Sequence, residues 1–220
     1  MHKTVQNLIS IQSSIKTKLL SLKEKTRIPK IIAVSKTFKL DHIQPLIDYG
    51  HLDYGENKVQ EAIEKWTDIK KNNDKIKLHL IGKLQTNKVK FAVKIFDYIH
   101  SLDSEKLAKK ISEEQKKNNV KPKIFIQINL GLESQKSGIV KENLTNFYNL
   151  CTKLDLNIIG IMCIPPFNED SSKYFSVMSN LINSIDNKEL SMGMSSDYLN
   201  AIEHKSTYVR IGSNIFGQRD

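Results

Sequence analysis

The stretch Lys30-Ile31-Ile32-Ala33-Val34-Ser35-Lys36-Thr37 is a short apolar run that stops abruptly on a serine and a lysine. It reads as a buried strand that delivers a charged side chain at its C-terminal end. Working outward from this strand at 30–35, similar runs recur at 52–55, 76–81, 98–102, 123–129, 157–164, 189–194 and 208–212. Amphipathic segments near 41–49, 58–70, 86–95, 104–117, 141–154, 170–185 and 197–204 separate the runs and read as helices. Start signals such as Asp103-Ser104 before Glu105, and Ser195-Ser196-Asp197 before an apolar turn, support several of them. Ahead of the first run, Val5, Leu8, Ile9, Ile15, Leu19 and Leu22 fall at helical spacing and predict an extra N-terminal helix.

Strands alternating with helices imply parallel pairing through right-handed crossovers. Eight such units in about 200 residues lie at the lower limit for a closed α/β fold of the (β/α)8 TIM-barrel type. An open doubly wound sheet is the competing arrangement. No linker or composition break divides the chain, so one domain over 1–220 is expected.

The composition is ordinary for a globular protein: 220 residues, 39% apolar and 26% charged. A net charge of +10 on its own would suggest nucleic acid or an anionic surface as partner. Against that, the only arginines are Arg27, Arg210 and Arg219, and the excess of Lys, Ile and Asn resembles the product of AT-rich coding. Solvated lysine faces explain the charge more simply, and no aromatic-basic interleaving supports nucleic-acid binding. With no apolar run of membrane length and no apolar segment after Met1-His2-Lys3-Thr4, neither a membrane span nor export is expected, and the location expected is cytoplasmic. Cys151 and Cys163 lack a CxxC spacing and are expected to be reduced structural thiols.

In a parallel barrel the C-terminal strand ends converge on one mouth. Lys36 ends the first strand there; a desolvated lysine is a ready nucleophile toward an aldehyde, although a lysine can also simply reach from a strand end to water. Asn57 after the second strand could bond a polar ligand atom or cap the next helix. His79 lies inside an apolar strand, where a satisfied core histidine is the commoner outcome. Gly82-Lys83 lacks the rest of a P-loop. Ser195, at the end of strand seven, and Gly212 with Ser213, after strand eight, sit where barrels commonly hold a phosphate. Arg210, embedded between Val209 and Ile211, needs a buried partner. A strand-end amine, a phosphate cradle and a buried cation are together what pyridoxal 5′-phosphate (PLP) requires.

These residues resemble the pyridoxal phosphate homeostasis proteins, the YggS/PROSC family, which is similar to the N-terminal barrel of alanine racemase, PLP fold type III. The likeness runs through Ala33-Val34-Ser35-Lys36, Gly55-Glu56-Asn57-Lys58-Val59-Gln60-Glu61 and His79-Leu80-Ile81-Gly82 with Leu84-Gln85 and Asn87-Lys88. It continues in Asn129 with Glu133, Lys136 and Gly138, in Leu190 to Ser195, and in Ser206-Thr207, Val209 to Gly212 and Ile215-Phe216-Gly217. One position departs: the family's usual glycine before Ser-Thr is Lys205 here.

The resemblance implies PLP carried as a Schiff base on Lys36, phosphate held by Ser195, Gly212 and Ser213, and Arg210 facing the pyridine nitrogen or reaching the phosphate. Asn57 and His79 would line the pocket, and Lys136 could relay the aldehyde. The function implied is intracellular PLP (vitamin B6) homeostasis: a monomeric carrier, not an enzyme, that delivers the cofactor to apo PLP-dependent enzymes. The alternative is a fold-III amino-acid racemase. That reading needs an acid/base group opposite Lys36 which such racemases take from a further domain, and the sequence runs only eight residues past Gly212.

Overall fold

A computed structural model describes residues 1–22, 27–131 and 137–218. Eight parallel strands form a closed barrel in chain order: β1 (Lys30–Val34), β2 (Asp53–Glu56), β3 (Lys77–Leu80), β4 (Tyr98–Leu102), β5 (Lys123–Ile128), β6 (Asn157–Cys163), β7 (Glu189–Met194) and β8 (Tyr208–Ile211). β1 pairs with β8 from Lys30 opposite Tyr208 to Ala33 opposite Ile211, which closes the sheet and excludes the open alternative.

Helices follow the strands around the outside: α2 (Leu40–Asp48), α3 (Val59–Asn72), α4 (Val89–Ile95), α5 (Glu105–Asn118), α6 (Leu144–Lys153), α7 (Ser171–Leu181), α8 (Tyr198–Glu203) and the short α9 (Ser213–Phe216). The predicted extra helix is α1 (Lys3–Ser21), packed on α2, α8 and α9, with Asn7 Nδ2 donating to the Ile215 carbonyl at 2.9 Å. Ser104 caps α5 by accepting from the Leu107 amide, as its sequence position predicts. The segments expected to be helical at 86–95, 141–154 and 170–185 each include one 3-10 turn, at Thr86–Lys88, Lys141–Asn143 and Ile182–Ser184. Such turns are common where an α-helix begins or ends. The helix after β7 starts at Tyr198, with Asp197 at its N-cap, because Asp197 Oδ1 instead accepts the Met194 amide and ties back the turn that follows β7.

The two faces of the barrel wall are packed differently. Outward residues such as Tyr54, Leu78, Ile126 and Leu190 join the helices in one large apolar layer, which includes Trp66, Ile43 and Phe175. Inward apolar residues form a small separate cluster of Ile32, Tyr98, Phe125, Met162 and Tyr208. Beside them lie buried polar residues: His79, His100, Ser191 and Arg210.

A bulge near the mouth sets up the site. Between Ser191 and Met194, β7 spends one residue more than β8 does between Tyr208 and Arg210. Gly193 absorbs the extra residue at φ +92°, and a Cβ there would lie 2.6 Å from the Ala201 Cβ. Both the backbone conformation and the space demand glycine.

Candidate functional site

Six of the seven residues singled out in the sequence line one cavity of about 710 Å3 at the C-terminal mouth: Lys36, Asn57, Ser195, Arg210, Gly212 and Ser213. His79 is not brought there. It lies fully buried inside the barrel, with Nε2 3.0 Å from Asp53 Oδ1 and Nδ1 3.0 Å from His100 Nε2. Glu133 and Lys136 lie outside the described residues, whereas their neighbour Gly138 has φ +128° and packs its Cα against the Asn129 backbone.

Lys36 is half-buried at the end of β1, and its backbone is gripped from both sides. Before it, Ser35 Oγ donates to Glu56 Oε1 at 2.8 Å, and the Ser35 carbonyl accepts from Lys65 Nζ at 2.9 Å. After it, Thr37 adopts φ +70°, a left-handed conformation that costs a threonine energy, and its amide donates to Glu61 Oε1 at 2.5 Å. Lys65 ties the two acids together, 2.9 Å from each, and the indole of Trp66 donates to Glu56 at 3.0 Å. Burial lifts the Glu56 carboxyl above its ordinary range, opposed by Lys65, Trp66 and Ser35. Two turns of α3 thus fix the direction in which the lysine leaves the strand.

Asn57 follows β2, and its backbone touches the next loop so closely that a Cβ on Gly82 would stand 2.4 Å from the Asn57 carbonyl oxygen. The cap of α3 is Lys58, with no side-chain capping bond, so Asn57 does not serve as that cap.

On the opposite side of the mouth, Ser195 Oγ accepts from the amides of Gly212 at 3.3 Å and Asn214 at 3.4 Å, while Asn214 Nδ2 donates to the Ser195 carbonyl at 2.9 Å. The loop after β7 and the start of α9 are thereby locked together, with the Ser195 and Ser213 hydroxyls and the Gly212 backbone on the wall of one cavity. That donor set suits a phosphate.

Arg210 has the buried partners its position requires. Nη1 donates to Ser191 Oγ at 2.7 Å and Nη2 to the Cys163 carbonyl at 2.9 Å, and neither partner is charged. Burial lowers the guanidinium pKa, with Asp197 among the groups that oppose the shift. Cys163 and Cys151 are free and buried, and burial pushes each thiol up to about 12. Neither acts as a nucleophile at neutral pH. Among the described residues no group of acids, histidines and cysteines is arranged to hold a metal ion, and no helix is long and apolar enough to cross a membrane.

Residues that the sequence reading missed surround those it found. Glu61 and Lys65 steady Lys36, and Ser191, His100 and Asp53 extend from Arg210 into the barrel. The alternation in Tyr98-Ile99-His100 places His100 on the same face as Tyr98, which is the one sequence signal that it points inward.

A strand-end lysine facing a phosphate-type cradle inside a closed (β/α)8 barrel defines a class. The chain belongs to the family of the alanine racemase N-terminal domain, whose model matches residues 12–220. Within that family its relatives are the pyridoxal phosphate homeostasis proteins. It is 37% identical over 200 residues to the one from Aquifex aeolicus, covering 86% of this chain and 87% of the relative, and 34% identical over 232 residues to that from Pasteurella multocida, covering 98% and 97%. Among solved structures it is similar to PipY of Synechococcus elongatus with PLP bound, at TM-score 0.83 and 30% identity, covering 97% of this chain and 100% of that one. An alanine racemase of Clostridium difficile shares the fold, at TM-score 0.72 and 18% identity, over 99% of this chain and 57% of the racemase.

Proposed function

We propose that this protein holds PLP at the barrel mouth and serves intracellular PLP homeostasis, as a carrier that takes up the cofactor and gives it to apo-enzymes. The observation that carries the reading is that Lys36, the Ser195–Gly212–Ser213 donors and the buried Arg210 share one cavity. The residues fit the cofactor chemically. PLP supplies an aldehyde for an amine, a phosphate dianion and a pyridine nitrogen. Lys36, with its direction fixed by Glu56, Glu61 and Lys65, presents the amine; the Ser195 and Ser213 hydroxyls would hold the phosphate, with the Gly212 and Asn214 amides fixing Ser195 Oγ in place; Asn57 lines the same cavity.

A carrier role is favoured by Arg210. If Arg210 faces the ring nitrogen and not the phosphate, its permanent charge would disfavour protonation of that nitrogen, and an unprotonated ring withdraws electrons poorly from a reacting substrate. Names of the relatives point the same way, toward homeostasis and not a reaction.

The test is a spectrum. Purified protein mixed with PLP should develop a near-visible band that borohydride removes, with the reduced adduct mapping to Lys36 and absent in Lys36→Ala. No band in the wild-type protein would overturn the reading. Loaded protein incubated with L-alanine in D2O should leave the α-proton in place; its exchange would establish the racemase instead.

A further inference from the structure

Arg210 is the first member of a chain of hydrogen bonds that crosses the barrel from mouth to floor. Arg210 Nη1 donates to Ser191 Oγ on β7 at 2.7 Å; Ser191 Oγ lies 2.9 Å from His100 Nδ1 on β4; His100 Nε2 lies 3.0 Å from His79 Nδ1 on β3; and His79 Nε2 lies 3.0 Å from Asp53 Oδ1 at the start of β2. Ser191, His79 and His100 are wholly buried, and Asp53 keeps 19% of its side chain exposed beside His51, Gln12 and Lys16 in a surface groove at the floor.

The chemistry of the two ends, together with neutral imidazoles, fixes which way every proton points. Guanidinium can only donate and an ionised carboxylate can only accept. Ser191 Oγ accepts from Arg210 and, since a neutral His79 that donates to Asp53 must accept from a neutral His100, gives its own proton to His100 Nδ1. His100 then carries its proton on Nε2 and donates to His79, which carries its proton on Nε2 and donates to Asp53. With both imidazoles neutral this is the one orientation that satisfies all four bonds, and it gives them the same tautomer; a protonated His79 would reverse the two bonds between it and Ser191. Burial favours the neutral form of each imidazole, lowering His79 and sending His100 well below its ordinary range. The rings are also held in plane: His79 stacks on Tyr98 at 4.2 Å between centroids and His100 on Phe125 at 4.3 Å.

We propose that Ser191, His100, His79 and Asp53 form a polarised relay in which the floor carboxylate acts as the remote counter-charge of Arg210, and that these four are positioning residues for that cation. Arg210 hydrogen-bonds only a serine and a carbonyl, with Asp197 acting on it through space alone, and a chain of aligned bonds ending on a carboxylate links it to a further counter-charge, each bond strengthening the next. A change at the floor then reaches the mouth without any movement of the backbone. The consequence for the cofactor rests on the PLP reading above; the relay itself does not.

The experiment therefore begins without PLP. Long-range 1H–15N correlation spectra of the cofactor-free protein should show His79 and His100 both neutral with the proton on Nε2, and Asp53→Asn should move the His100 and Arg210 side-chain signals. Glu189→Gln, which neutralises a floor carboxylate outside the relay and paired with Arg27, should leave them in place. Ser191→Ala should disconnect Arg210, so that adding Asp53→Asn no longer moves its signals. A proton on Nδ1 of either wild-type histidine overturns the proposal, as do His100 and Arg210 signals that ignore Asp53→Asn, and the wild-type measurement requires no variant to fold. In loaded protein, Asp53→Asn and Ser191→Ala should each speed PLP release about threefold to tenfold and shift the cofactor's absorbance maximum, while Asp53→Glu restores both. Unchanged release and absorbance in both variants would refute the positioning role. A wild-type protein that binds no PLP would sink the PLP reading alone, with the relay still decided by the tautomers.

Discussion

The outer and inner faces of the same barrel wall follow opposite rules. Outside, the strands meet the helices through one continuous aliphatic and aromatic layer. Inside, a few aromatic rings are interleaved with two histidines, a serine and an arginine. The outer layer stabilises by removing apolar area from water and tolerates no missing volume. The inner face gives up some of that stabilisation to place polar groups beneath the mouth, and it holds only because each of those groups has a partner. Stability and function are thus divided between two sides of one sheet, and substitutions should separate them.

The largest effect should come from the outer layer. Phe175 on α7 is fully buried, and Phe175→Ala should cost about 3–5 kcal/mol in urea unfolding. Protein that remains folded should still take up PLP with near wild-type affinity, because no atom of the mouth depends on Phe175. A loss of affinity larger than the loss of stability would show that the two faces are not separable.

The inner face should appear next, as a response to acid. Burial lowers the pKa of His79 and His100, and of His51 at the floor, below the ordinary 6.5. The unfolded chain then binds protons that the folded chain refuses as pH drops below about 6.5. Stability is complete above that value and falls below it, by up to about 1.4 kcal/mol per pH unit for each such histidine. Asp53, whose carboxyl is held down by His79 in spite of its burial, extends the loss below the ordinary carboxylate range. Urea midpoints between pH 7.5 and 5.5 should show this slope in the wild type and in Phe175→Ala, and a shallower one in His100→Gln. An unchanged slope in His100→Gln would mean that the interior histidines do not set it.

This division also explains what could be read from the sequence. The outer face was legible because burial against helices selects apolar residues at a fixed period, so strands 98–102 and 189–194 carry the bounds expected of them. Arg210 was legible because an arginine between valine and isoleucine violates that period. The relay was not. His100 and Ser191 stand 91 residues apart in the sequence, and nothing local says that they touch. Single inward polar residues on β2, β3, β4 and β7 acquire a meaning only when the barrel closes. His79 could be singled out and still be placed in the wrong compartment, since a strand pattern fixes the face of a residue but not its depth. The grip on Lys36 was hidden for a similar reason: Glu61 and Lys65 look like an ordinary i,i+4 pair on a helix until Thr37 is seen to borrow the carboxylate.

That grip provides a smaller test at the mouth. Glu61→Gln keeps a carbonyl oxygen for the Thr37 amide but removes the charge shared with Lys65, and α3 stays intact. PLP affinity should fall about threefold to tenfold, near 1 kcal/mol, with the urea midpoint almost unmoved. A change in stability with no change in affinity would show that Glu61 supports the helix and not the lysine.

The smallest effect belongs to the loop before β8. Lys205, where relatives carry glycine by the likeness noted above, sits at φ +64°. The loop adopts the left-handed conformation that a glycine would take freely, so Lys205 bears a backbone cost there. A side chain in that region costs about 1–2 kcal/mol, while glycine gives back about 0.4–1 kcal/mol through the freedom it adds to the unfolded chain. Lys205→Gly should therefore raise stability by about 0.5–1 kcal/mol, read as a higher urea midpoint at unchanged slope. The amide of Thr207 bonds the Leu190 carbonyl at 2.9 Å and Thr207 Oγ1 accepts the Leu190 amide at 2.8 Å, so this loop pins β8 to β7 at the end of the barrel away from the mouth. PLP affinity should stay the same. If Lys205→Gly instead lowered the midpoint, the lysine side chain would be contributing more at the floor than its backbone conformation costs.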